Sequence, residues 1–171
     1  MAGRTICPNI GVIVAGIRRA LGEQTMGEAA SYETDFYGWA NEQAALLRAG
    51  KLAAADIGHI AEEIESMGKA EKRELISRLT VLLCHLLKWQ YQPDRRGMSW
   101  RATIRNQRRD ITDHLVDNPS LKARLPEALS AAYERAIDTA AGETDRDPGT
   151  FPPACPWPFE QIMDVAFWPG E

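Results

Sequence analysis

The sequence predicts an all-α protein: a bundle of about four main helices with a Pro- and aromatic-rich C-terminal tail packed on it. Three observations predict this. Apolar residues recur at spacings of three and four through four consecutive segments, as expected of helices that each bury one face. Glycine, proline, aspartate and asparagine fall between those segments, and nowhere does the alternation of a half-buried strand appear. At 171 residues, 44% of them hydrophobic and 26% charged, the chain has the make-up of an ordinary globular domain with a sizeable core.

Residues 1–30 read as an N-terminal extension, expected to be poorly structured, because glycines at 3, 11, 16, 22 and 27 interrupt every apolar run. Met26 offers an alternative start, which would make the first 25 residues a leader. Residues 31–171 read as a single helical domain. Its first helix is expected from Asp35 to Ala49, with Phe36, Trp39, Leu46 and Leu47 at helical spacing and Gly50 placed for a left-handed C-terminal residue. Asp56 is placed to cap a second helix carrying Ile57, Ile60, Ile64 and Met67, then Leu75, Leu79, Leu82 and Leu86, up to Pro93. This segment is one long helix or two halves bent at Gly68. From Val81 to Leu87 apolar groups surround the axis, so this part belongs at the centre of the bundle.

Ser99 is the expected N-cap of a third helix with Trp100, Ile104, Ile111 and Leu115 on one face, closed by Asn118 and Pro119. A fourth follows, with Leu121, Leu125, Leu129, Tyr133, Ala136 and Ile137 on its inner face; Pro126 implies a kink or a fresh start there. After Gly142 the prolines forbid a long helix. Phe151, Trp157, Phe159, Ile162, Phe167 and Trp168 would each cost about 1.5–3 kcal/mol if left in water, so the tail is expected to wrap the bundle, with one short helix from Pro158 to Asp164.

The formal charge of -4 leaves no overall basic excess to hold the chain on nucleic acid or anionic lipid. Cys7, Cys84 and Cys155 form no C-x-x-C pair and read as free thiols of a reducing cytoplasm. No apolar run approaches the roughly 20 residues that cross a bilayer. Ile10 to Ile17, the longest candidate near the N-terminus, lacks the flanks of a secretory signal. A cytoplasmic protein without membrane contact is the expectation.

Four strings, in order, are YETDFYGW from Tyr32 to Trp39, AEEIESMG from Ala61 to Gly68, HLLKWQYQP from His85 to Pro93, and SWRATIRNQRR from Ser99 to Arg109. Together, over about Tyr32 to Trp168, they resemble the bacterial family of domain of unknown function 29 (DUF29). The resemblance implies an all-helical bundle and implies no reaction. The N-terminal extension and Pro126 depart from the family pattern.

Four candidate features remain. His59, Glu62, Glu63 and Glu65 bring imidazole and carboxylates to adjoining strips of the second helix, the ligand types of a carboxylate metal site. The Glu-x-x-His order that such a site needs on two helices is reversed and occurs once, so no metal or other cofactor is expected; Glu62, Glu63 and Glu65 read as a solvated acidic strip or as partners for arginines. The second feature is cationic. Residues 85–110 hold seven Lys/Arg against two Asp/Glu, whereas residues 111–171 hold four against eleven. Arg101, Arg105 and Arg109 recur at intervals of four, with Lys88, Trp89 and Trp100 nearby in sequence, a combination suited to phosphates and unpaired bases. The competing and preferred account pairs these arginines with the acidic strip inside the bundle. Third, His85, one turn before Trp89, titrates near neutrality and is a base candidate, but its position reads better as a core histidine bonded to a backbone carbonyl. Fourth, His114 follows Asp110 by four residues and reads as a surface pair. Phosphate loops and nucleophile elbows are absent.

The reading favoured is a non-enzymatic helical protein-protein interaction module whose partner is another protein or itself, as a homodimer. The alternative is a nucleic-acid binder using the basic face of the third helix; a metal-dependent enzyme ranks third.

Overall fold

The computed structural model describes residues 31–171. Every regular element among them is helical, in agreement with the fold class read from the sequence. The extension, the alternative start at Met26 and Cys7 lie outside the described residues. The described chain divides into two units, one ending at Glu62 and one running from Glu63 to Glu171.

In the first unit, α1 (Phe36–Arg48) begins where Asp35 Oδ1 accepts the Gly38 amide at 2.9 Å. Trp39 and Gln43, one turn apart, are its buried positions. It ends at Gly50, whose φ of 69° needs no Cβ, with the Lys51 amide returning to Leu46 O at 3.0 Å. A 3-10 turn at Leu52–Ala54 leads to α2 (Ile57–Tyr91). Asp56 caps α2 as expected, accepting the His59 amide at 3.3 Å. The Asp56 amide in turn donates to Gln43 Oε1 at 2.8 Å, which ties the start of α2 to α1.

The 35 residues of α2 continue as one helix through Gly68, the first of the two alternatives read from the sequence. Within the second unit α2 lies beside α3 (Met98–Asp117) and α4 (Leu125–Thr144). Arg78 reaches Asp110 at 3.0 Å, and His114 Nε2 donates to Glu71 O at 3.0 Å, so α3 runs antiparallel to α2. Lys72 meets Glu127 at 2.6 Å and Lys88 meets Glu143, a constant offset along the chain, so α4 runs parallel to α2. Leu75, Leu79, Leu82, Leu86, Ile104, Ile111 and Ala132 fill the space between the three helices.

Two helix starts differ from expectation. The N-cap of α3 is Gly97, two residues before Ser99. Ser99 lies inside the first turn, where its carbonyl accepts Thr103 Oγ1 at 3.1 Å. Pro119–Arg124 forms a 3-10 helix, after which α4 starts afresh with Pro126 in its first turn, where a missing amide costs little. The tail contains a 3-10 turn at Pro148–Thr150 and the short α5 (Phe159–Met163). Phe151, Trp157 and Ile162 are buried against the bundle, so the tail is part of the core.

Candidate functional site

Arg96, Arg101 and Arg108 hold the tail. Arg101 pairs with Glu171 at 3.5 Å, and its guanidinium lies 5.1 Å from the rings of both Trp89 and Trp168. Arg96 also lies over the Trp89 ring, at 5.4 Å, and donates to Pro169 O at 3.3 Å. Trp89 and Trp168 are themselves 4.7 Å apart. Cations and indoles therefore cluster, an arrangement favourable even where no carboxylate answers the charge. Arg108 is 3% exposed. Its Nε donates to Ile162 O and its Nη2 to Phe167 O, each at 2.8 Å, while Nη1 has no partner. Burial pushes this guanidinium below its ordinary value, with Asp164 acting in the opposite sense.

The remaining candidates are distributed as follows. Lys88 is buried, pairs with Glu143 and lies 4.7 Å from the Trp100 ring centre. His85 is half-buried, bonds Val81 O at 2.8 Å, and is held below its ordinary value by burial. That is the carbonyl-bonded histidine the sequence suggests. Arg105 is exposed, with no ion pair among the described residues, and Arg109 is exposed beside Asp110 at 3.6 Å. Trp89 and Arg101 thus meet the tail, Lys88 joins Trp100 of α3 to Glu143 of α4, and Arg105 and Arg109 are exposed on α3.

Glu65 pairs with Lys69 of its own helix at 3.4 Å, not with the arginines of α3. The reason is register. Residue 78 faces 110 and residue 71 faces 114, so residue 65 falls past the C-terminal end of α3. For Glu65 the expected match to the arginine stripe is therefore absent, and Arg101 meets Glu171, Arg109 Asp110 and Lys88 Glu143. His114 likewise turns to Glu71 and not to Asp110.

In the first unit, Asp56 Oδ2 holds His59 Nδ1 at 2.6 Å and accepts Trp39 Nε1 at 3.4 Å. Tyr32 stacks on the His59 ring, with centroids 4.2 Å apart. The carboxylate raises the His59 value, and the imidazole lowers that of Asp56. His59 is thereby committed to a neighbour that the metal reading did not include. Among the described residues, no group of three or more His, Cys, Asp or Glu gathers as a metal site.

The face that the sequence did not isolate is on α2 just before α3 and α4 begin to cover it. Ile64 is 63% exposed and Met67 68% exposed, although their spacing continues the core stripe of the helix. Residue 72 faces 127, so α4, which starts at Leu125, has nothing opposite residues 63–69. The 35 residues of α2 outrun the 20 of α3 and of α4, an excess of about 20 Å at the rise of an α-helix. Beside this face is an open hollow of about 580 Å³, lined by Glu65, Gly68, Lys69, Lys72, Leu121 and Arg124 among others. A Cβ at Gly68 would meet nothing within 4 Å, so the backbone is open to close approach there.

A family model described as "Domain of unknown function DUF29" matches residues 31–168. No curated protein and no solved structure matches the chain. No helix among the described residues is long and apolar enough to cross a membrane.

Proposed function

This chain belongs to the DUF29 family, and on that premise we propose that it is a non-enzymatic helical interaction module of the cytoplasm that docks a protein partner on the uncovered face of α2. The observation that carries this reading is the exposure of Ile64 and Met67 in register with a core stripe, next to a hollow. Large apolar groups clustered beside a concavity favour docking over solvation. Catalysis is the weaker reading, because three of the candidate cations serve packing: Lys88 holds Glu143, Arg101 holds Glu171, and Arg108 holds two tail carbonyls. Cys84 and Cys155 are unbridged, in keeping with a reducing compartment.

Photo-crosslinking from position 67 in living cells tests the reading. Met67 is mostly exposed, so a benzoylphenylalanine there leaves the fold intact. The expected result is a discrete protein adduct that disappears with Ile64→Glu. Absence of any adduct, or one indifferent to Ile64→Glu, would remove the docking face.

A further inference from the structure

Building on the interaction reading, we infer that the partner on this face is a second copy of this chain, packed antiparallel across a two-fold axis close to Met67 and Gly68. Ile64 of each copy then enters the hollow of the other.

The charge order along α2 selects this partner. Glu65 lies on the N-terminal side of the proposed axis, while Lys69 and Lys72 lie on the C-terminal side, with Arg124 across the hollow. Counting 100° per residue, Glu65, Lys69 and Lys72 share one flank of the helix. In an antiparallel pair the same flanks face each other, so Glu65 of one copy comes opposite the Lys69–Lys72 turn of the other, twice by symmetry. A parallel two-fold pair would turn this flank away from its symmetry mate and forgo both contacts. Glu65 and Lys69 are 70% and 68% exposed, so their own pairing is worth little and is readily exchanged for an intermolecular one.

Shape agrees with charge. Gly68 at the crossing point lets the two backbones approach, because nothing stands within 4 Å of the position a Cβ would occupy. With the axis near residue 67, Ile64 of one copy falls opposite residue 70 of the other, over the hollow that Gly68, Lys69, Lys72 and Leu121 line. Burying Ile64 and Met67 from both copies removes the two large apolar groups of this face from water together. A contact of this limited extent predicts a dimer with micromolar dissociation.

Sedimentation equilibrium of the full chain across a micromolar concentration series tests the inference. A monomer-dimer equilibrium is expected, weakened at least about tenfold by Ile64→Glu and by Glu65→Lys. The double variant Glu65→Lys with Lys69→Glu, which restores opposite signs across the axis, should recover dimerisation. A bismaleimide should join copies carrying Met67→Cys and leave those carrying Ser77→Cys unlinked, since Ser77 is exposed but about 15 Å along the helix from the proposed axis. Circular dichroism shows that each variant is folded. A chain that stays monomeric throughout, or a dimer unaffected by Ile64→Glu, overturns the inference. If position 67 still captures a different protein in cells, the interaction reading survives that failure; if it captures nothing, both fall.

Discussion

Arg108 fastens the tail to α3, and replacing it by alanine should be among the most damaging single changes in the second unit. The side chain is 3% exposed and donates to Ile162 O and Phe167 O, each at 2.8 Å. Charged hydrogen bonds of this kind contribute about 1.5–3 kcal/mol each, and their loss leaves both carbonyls short of a donor. Phe167 O is only partly buried and recovers some hydration, which lowers the cost; the cavity left beneath the Trp168 ring, 5.5 Å from the guanidinium, raises it again. A net loss of about 3–5 kcal/mol follows. For a chain of this length that lowers Tm by roughly 10 °C. Urea unfolding followed by tryptophan fluorescence measures it, and hydrogen exchange should show the segment around Trp157 to Trp168 opening before the rest. Arg108→Lys, which has no planar fork to reach both carbonyls, should recover only part of the loss. A change below about 1 kcal/mol for Arg108→Ala would refute the assignment of the tail's anchorage to this residue.

Lys88 and Glu143 should respond asymmetrically, because their side chains are 9% and 49% exposed. Glu143→Ala leaves a buried ammonium unanswered and should cost about 1–3 kcal/mol, whereas Lys88→Met should be near neutral in the same denaturation assay. The Asp56–His59 pair gives a pH prediction. His59 is raised above its ordinary 6.5, so its contribution is complete below that value and fades as pH climbs through the raised one; Asp56 is lowered from 3.8, so its contribution is complete above that value and fades as pH drops through the lowered one. NMR titration of the His59 ring should therefore show a fall towards 6.5 in Asp56→Asn, and an unchanged titration would contradict the pairing. Burial pushes the Cys84 thiol up to about 11, so it should resist alkylation at neutral pH in the folded chain and react only on unfolding, as mass spectrometry of labelled peptides can show. Single-stranded RNA should show no steeply salt-dependent binding, because Arg101 is held by Glu171 and Arg109 lies beside Asp110; a slope that collapses with Arg105→Glu would instead favour the nucleic-acid reading.

The helices were legible because periodicity and punctuation are local. Asp35, Gly50, Asp56 and Pro126 act within a few residues of where they stand, and each sits where its chemistry requires. Ser99 misled, because cap preference ranks residue types and does not register that Gly97 already provides the extended conformation at the α3 start. Arg108 was hidden in plain periodicity. It occupies the step between Ile104 and Ile111 on the buried stripe of α3, a place where a charged residue signals an internal job, yet intervals of four drew attention to Arg101, Arg105 and Arg109. Its acceptors lie more than fifty residues away, in a tail whose path no local rule supplies.

The same distinction separates the two charge patterns. The basic excess of residues 85–110 is answered by the acidic excess that follows it: Lys88 by Glu143 and Arg101 by Glu171. Sequence arithmetic contains that match, but pairing it with the nearer acidic strip ignored length, since α3 ends before it reaches Glu65. Periodicity identifies which face of α2 is apolar; only the lengths of α3 and α4 determine how much of that face is covered. Ile64 and Met67 follow the same rule as Leu75 and Leu79, and differ in having neither α3 nor α4 opposite them. An exposed carboxylate whose cation among the described residues is on its own helix, set beside exposed apolar groups and followed by lysines, has its complement in its own reversed sequence. Self-docking is therefore the outcome that the helix lengths and the charge order favour together.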